Sequence, residues 1–150
     1  MPLPAFDSRG DLPAGVHRAT LAEVLARFGH ATPQRRHEPA LLERIYGLVE
    51  RTGKLERFVI FGSYVTDKPA PNDVDIILIM RDDFREEDYT DDVLTILDHL
   101  RVQSELGASV FWTRSGAVLL ESVDEFIAHW QIKRDLTTHS IVEVIVGLKP

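Results

Sequence analysis

The most informative stretch of the chain spans residues 57–80 and reads RFVIFGSYVTDKPAPNDVDIILIM. It contains two apolar runs, Phe58–Phe61 and Val74–Met80, the second interrupted by Asp75, with a polar segment containing two prolines between them. Short apolar runs that are bounded by turn residues are typical of strands buried on both faces of a sheet. The stretch therefore predicts two buried strands that are joined by an irregular loop.

The polar residues at the ends of these runs form the arrangement that indicates chemistry. Gly62 and Ser63 are followed by nine residues and then by Asp73-Val74-Asp75. Residues i and i+2 of a strand project to the same side, so Asp73 and Asp75 can direct two carboxylates at one point. Mg²⁺ binds proteins through one or two carboxylates and takes its remaining oxygens from water and phosphates. The spacing predicts that Asp73 and Asp75 bind Mg²⁺ and act in catalysis.

The other half of the motif is suited to phosphate. Gly62 lets a ligand approach the backbone closely, and a short helix that begins at Ser63 would present free amides to an anion. We therefore expect Gly62 and Ser63 to bind the phosphates of a nucleoside triphosphate. The structural alternative is that Asp73 and Asp75 only cap a loop, although two like charges beside a buried strand are costly without a partner.

Composition limits the classes of protein to consider. The chain has 150 residues, of which 44% are hydrophobic, and this suits a single domain over residues 1–150. Its net charge of -7 disfavours nucleic acid as a partner, and no apolar run reaches the ~20 residues that span a bilayer. It contains no cysteine, and its first residues do not resemble a signal peptide. We expect a cytoplasmic protein without disulfides or thiolate metal sites.

The rest of the chain predicts an α/β (α+β) fold with a small mixed β-sheet flanked by helices. The prolines and glycines of residues 1–18 indicate an extended N-terminal arm, and Thr20 with Glu23 has the spacing of a capping box. Apolar periodicity predicts helices near 20–29, 38–53, 90–106 and 122–135, and further strands over Ala108–Thr113 and Ser140–Leu148.

These motifs resemble the nucleotidyltransferase superfamily with the polymerase-beta-like fold, whose signature is Gly-Ser followed at a short distance by Asp-x-Asp. Gly62, Ser63, Asp73 and Asp75 match that signature, and the chain's small size is similar to that of the minimal nucleotidyltransferases. Residues 6–20 are also similar to the start of an uncharacterised branch of the superfamily. The resemblance implies Mg²⁺-dependent transfer of a nucleoside monophosphate from a nucleoside triphosphate to a hydroxyl of a protein, an RNA end or a small molecule.

The chain departs from the family pattern at the third carboxylate. Active members generally carry an acid on the strand that follows the intervening helix, and here that strand, Ala108–Thr113, contains none. Ser109 or Phe111 falls at the expected place, and Glu105 and Asp98 are possible substitutes. The departure favours a second hypothesis, in which a catalytically degenerate protein acts as a nucleotide-binding or protein-binding regulator, like the antitoxin of a toxin-antitoxin pair.

Overall fold

In this computed structural model, the described residues form five strands in one mixed sheet, with four α-helices beside it. The structure describes residues 3–6, 8, 12, 15–28, 38–65, 74–117 and 140–146. The strands are β1 (Gly15–Ala19), β2 (Leu55–Phe61), β3 (Val74–Met80), β4 (Ala108–Arg114) and β5 (Ser140–Val144). The helices are α1 (Leu21–Phe28), α2 (Glu38–Glu50), α3 (Asp91–Leu97) and α4 (His99–Leu106). The predicted α+β class, with a small mixed sheet beside helices, is confirmed.

The strand order across the sheet is β1-β5-β2-β3-β4. The central strands β2 and β3 run antiparallel, and β5 joins the other side of β2, also antiparallel. The two outer strands run parallel to their neighbours, β1 to β5 and β4 to β3. The apolar strands β2 and β3 thus occupy interior positions, as their nearly continuous hydrophobic runs predict.

The two faces of the sheet have different neighbours. On the first face, residues such as Phe58, Ile76 and Val110 belong to a large core that includes buried side chains from all four helices. On the second face, the smaller cluster consists of Val59, Phe61, Ile77, Ile79 and Ile141. No helix of the described ranges contributes a residue to that cluster. We call these the helix face and the second face.

A bulge at the start of β2 allows Leu55 to lie on the same face of the sheet as Phe58. Leu55 and Phe58 both belong to the core of the helix face, although residues three apart in a regular strand point to opposite sides. The register with β3 shifts between Leu55 and Arg57, which is the mark of a β-bulge. The bulge therefore buries Leu55 on the helix face while Arg57 lies on the second face.

The predicted helix over 90–106 is wrong in one respect, because the structure divides it into α3 and α4 at Asp98. Asp98 has extended backbone angles, and its side chain accepts hydrogen bonds from the amides of Leu100 and Arg101. An aspartate that bonds nearby amides competes with the helical pattern and begins a new helix. Gly107, with a left-handed φ of 72°, then ends α4 as expected for a glycine cap.

Other boundaries differ by a few residues from those predicted. The end of the arm predicted over 1–18 is not free, because Gly15–Ala19 pairs with β5 as an edge strand. The strand predicted over Ser140–Leu148 is described as Ser140–Val144. The helix predicted over 122–135 lies outside the described residues. Among the helices that the structure describes, none is long and apolar enough to cross a membrane.

The capping box at the start of α1 is confirmed. The backbone amide of Thr20 donates to Glu23 Oε1, and the amide of Glu23 donates to Thr20 Oγ1, each at 3.1 Å. The bond from the Thr20 amide lowers the pKa of the Glu23 carboxyl below its usual value. The two bonds satisfy amides that would otherwise lack partners at the helix start.

The capping box yields a stability prediction. We expect Thr20→Ala to lower the free energy of unfolding by about 1 kcal/mol, because the amide of Glu23 loses its acceptor. Urea denaturation of the purified protein measures this change. Thr20→Ser retains the hydroxyl and serves as the control, so an equal loss in both variants would contradict the role of the side-chain oxygen.

Candidate functional site

The candidate site lies where β2 ends and β3 begins. β2 ends at Phe61, and a single 3₁₀ turn follows over Gly62–Val65. Tyr64 and Val65 are fully buried in the core of the helix face, so they anchor the turn to that core at the end of β2. The sequence analysis considered a short helix that begins at Ser63, and the structure has a 3₁₀ turn that begins at Gly62.

Asp75 lies beside this turn. In the antiparallel pairing of β2 and β3, Asp75 is the partner of Phe61, the residue directly before Gly62. Val74 and Ile76 belong to the helix face, so strand alternation directs the Asp75 side chain to the second face, where it is half-buried. The structure thus brings Asp75 and the backbone of the Gly62–Val65 turn to one end of the sheet.

Asp73 completes the predicted site in sequence but lies outside the described residues. For Gly62 and Ser63 the structure describes the backbone turn only. Within the described ranges, no three His, Cys, Asp or Glu side chains are grouped so that they could hold a metal ion. Because that search did not include Asp73, it does not test the predicted pair of carboxylates.

The neighbouring strand brings Ser109 to Asp75. The parallel register pairs Asp75 with Ser109 and Ile77 with Phe111. Paired residues on adjacent strands lie ~5 Å apart and on the same face. Ser109 is 8% exposed, whereas Phe111 is 37% exposed. Of the two residues that fall at the expected place of a third carboxylate, Ser109 is therefore the one beside Asp75.

Of the two substitute acids, Asp98 does not supply that carboxylate. Asp98 caps α4, and the residue before it, Leu97, accepts a hydrogen bond from the indole of Trp112, which packs on the helix face. Asp75 projects from the opposite face, so Asp98 is not its partner. Glu105 belongs to α4, and its side chain lies outside the described part of the structure.

A pocket of the described residues lies at the other end of the sheet. It has a volume of about 740 Å³ and is lined by residues that include Leu55, Arg81 and Asp83. β3 separates Arg81 from Asp75 by ~20 Å, at about 3.3 Å per strand residue. A hydrogen bond from Lys54 to Asp83 at 2.6 Å lowers the pKa of the Asp83 carboxyl. The pocket and its Asp83 carboxylate are therefore remote from the candidate site.

A buried carboxylate that the sequence analysis did not single out lies on β5. Glu143 is 8% exposed and receives two hydrogen bonds from the Arg57 guanidinium, Nε to Oε2 at 2.9 Å and Nη2 to Oε1 at 2.6 Å. Arg18 Nε lies 3.9 Å from the same carboxylate. The alternation of Glu143 with buried Val142 and Val144 was the available signal, because an acid inside an apolar strand needs a partner. The Arg57–Glu143 pair is not part of the candidate site, because β2 lies between β5 and the strand β3 that carries Asp75.

The Arg57–Glu143 pair yields a second stability prediction. We expect Glu143→Leu to lower the free energy of unfolding by about 3 kcal/mol, because it leaves the Arg57 charge largely buried. Arg57→Met added to Glu143→Leu should recover part of that loss, since the double variant contains no unpaired charge. Urea denaturation of the two single variants and the double variant measures the coupling. Additive losses would show that the pair is not coupled.

Comparison with known proteins shows the chain's family without an activity. No curated protein matches the chain. No solved structure matches it either. Residues 4–145 match the protein family described as "Family of unknown function (DUF6932)", and this match includes the turn, Asp75 and all five strands. The chain therefore belongs to the DUF6932 family.

Proposed function

We propose that the protein is a Mg²⁺-dependent nucleotidyltransferase that binds a nucleoside triphosphate where β2 and β3 meet. The observation that supports this proposal is the pairing of Phe61 with Asp75. It brings the Gly62–Val65 turn and one carboxylate of the Asp-x-Asp motif to the same sheet end. A phosphate-binding turn and a metal-binding acid have to be neighbours if they are to hold one metal–nucleotide complex.

The donor groups fit a hard divalent cation. The motif offers carboxylate oxygens from Asp73 and Asp75, and Mg²⁺ prefers oxygen ligands and needs few of them from protein. Asp75 is half-buried at the sheet end, so an ion bound there would be open to a nucleotide on one side. Bound Mg²⁺ would neutralise phosphate charge. Gly62 and Ser63 would hold the triphosphate through the start of the 3₁₀ turn.

The proposed reaction moves a nucleoside monophosphate. The oxygen of an acceptor hydroxyl forms a bond to the α-phosphorus, the bond from that phosphorus to the β-phosphate oxygen breaks, and pyrophosphate leaves. The hydroxyl proton passes to a base or to solvent. The acceptor classes are a protein side chain, an RNA end and a small molecule, and the net charge of -7 argues against a long RNA.

A second candidate function is a nucleotide-binding regulator that has lost transfer activity. Ser109 is the β4 residue beside Asp75, and it carries a hydroxyl where active nucleotidyltransferases generally have a carboxylate. A site with two carboxylates can retain a metal–nucleotide complex without activating the acceptor. Such a protein would regulate a protein partner, and the resemblance to minimal nucleotidyltransferases suggests a partner like that of a toxin-antitoxin pair.

Nucleotide binding is the first test. We expect calorimetric titration with ATP, GTP, CTP and UTP to show binding of at least one of them that requires Mg²⁺. Asp75→Asn should weaken that binding by about tenfold or more, because it removes a charged metal ligand. Asp88→Asn, an exposed aspartate in the turn before α3, is the matched control and should leave affinity unchanged. Absence of Mg²⁺-dependent binding in the unaltered protein would refute both candidate functions at this site.

The identity of residue 109 distinguishes the two candidates. Pyrophosphate release and incorporation of α-labelled nucleotide are measured with the protein itself, water and glycerol as hydroxyl sources. If Ser109 has cost the protein its transfer activity, Ser109→Asp should raise the rate at least about tenfold, since a positioned base contributes 10²-fold or more. Ser109→Asn is similar in size to that variant but neutral, and should not raise the rate. Transfer by the unaltered protein at the rate of Ser109→Asp would instead favour the active enzyme.

A further inference from the structure

Arg27 of α1 holds the N-terminal segment by hydrogen bonds and a ring contact. Arg27 Nη2 donates to the carbonyl oxygen of Pro4 at 2.9 Å, and Nη1 lies 3.5 Å from the carbonyl oxygen of Leu3. The same guanidinium lies 4.5 Å from the centroid of the Phe6 ring, within the range of a cation–π interaction. Residues 3–6 are therefore held against the last turn of α1 by both backbone and ring contacts.

A row of aromatic rings extends from this attachment to the candidate site. Phe6 lies 6.1 Å from Phe28, and Phe28 lies 5.8 Å from Tyr64, measured between ring centroids. Both separations are typical of tilted aromatic pairs that attract each other beyond simple burial. Phe28 and Tyr64 are 1% and 0% exposed, so neither ring can move without displacing its neighbours. Tyr64 directly follows Ser63 in the 3₁₀ turn.

We propose that Arg27 is a positioning residue for the Gly62–Val65 turn, acting through Phe6, Phe28 and Tyr64. By holding residues 3–6 in place, Arg27 keeps the Phe6 ring against Phe28. Phe28 packs in turn on Tyr64 and fixes the position of that ring. Tyr64 in turn fixes the backbone at Ser63. The inference rests on the proposed function only in naming this turn as the element that binds phosphate.

Several features favour a positioning role over a general contribution to the core. Arg27 contacts neither β3 nor β4 in any hydrogen bond or ring contact found among the described residues. Its contacts lead instead to Phe28, which lies between the N-terminal segment and Tyr64. A packed row of rigid rings transmits displacement because it has little free volume. Release of residues 3–6 should therefore increase the motion of the Gly62–Val65 turn more than the motion of the sheet.

Hydrogen exchange tests this inference without any nucleotide. In Arg27→Ala, we expect the amides of residues 62–65 to exchange about five- to tenfold faster, because a cation–π contact and a charged hydrogen bond are lost. Exchange in β3 and β4 should stay the same. Arg44→Ala removes an exposed arginine of α2 and is the matched control. Faster exchange at Leu3, Ala5 and Phe6 with unchanged exchange at residues 62–65 would overturn the proposal, and so would a uniform increase over the whole sheet.

Phe6→Leu provides a second variant that retains the Arg27 charge. It keeps an apolar group but removes the ring, so it should also accelerate exchange at residues 62–65, by a smaller factor than Arg27→Ala. Where the unaltered protein binds a nucleotide, Arg27→Ala should weaken that affinity by a factor similar to the change in exchange. If the unaltered protein binds none, the proposed function fails, while the exchange experiment still decides whether Arg27 positions the turn.

Discussion

The antiparallel register between β2 and β3 is the constraint on which the other features depend. It pairs Phe58 with Leu78 and Ile60 with Ile76 on the helix face, and Val59 with Ile77 on the second face. A slip by one residue would exchange the two sets and direct the helix-face side chains away from α1–α4. The same register pairs Phe61 with Asp75, so the packing of the core also determines which acid lies beside the turn.

The second face shows how the sheet tolerates charge between apolar strands. The bulge at the start of β2 leaves Arg57 on this face, and there it binds Glu143 with two nitrogen atoms. Bidentate pairing satisfies both carboxylate oxygens, which a single lysine ammonium would not do as well. An irregular strand start therefore supplies the cation that a buried glutamate on the adjacent strand requires.

The core strands and the first helix could be predicted from sequence because their signals are local. Thr20 and Glu23 specify the start of α1 by their spacing, and the β3 boundaries Val74 and Met80 follow from one apolar run. The break at Asp98 was missed because the surrounding apolar positions fit one helix as well as two. The pairing of Asp75 with Ser109 could not be derived either, since register between distant strands depends on tertiary packing rather than on either segment alone. The sequence analysis therefore placed Asp75 on a buried strand, and the structure showed that Ser109 is the β4 residue beside it.

The position of β5 between β1 and β2 has a consequence for the order of folding. β1 pairs within the described sheet only with β5, and Gly15 is the partner of Ser140. During synthesis on the ribosome, β1 emerges before β2, β3 and β4, and its partner strand β5 emerges after them. Contacts between distant segments form slowly because a long loop has to close first. The antiparallel pair β2–β3 can form early, whereas β1 has to wait without its partner, so its unpaired backbone needs protection from incorrect pairing in the nascent chain.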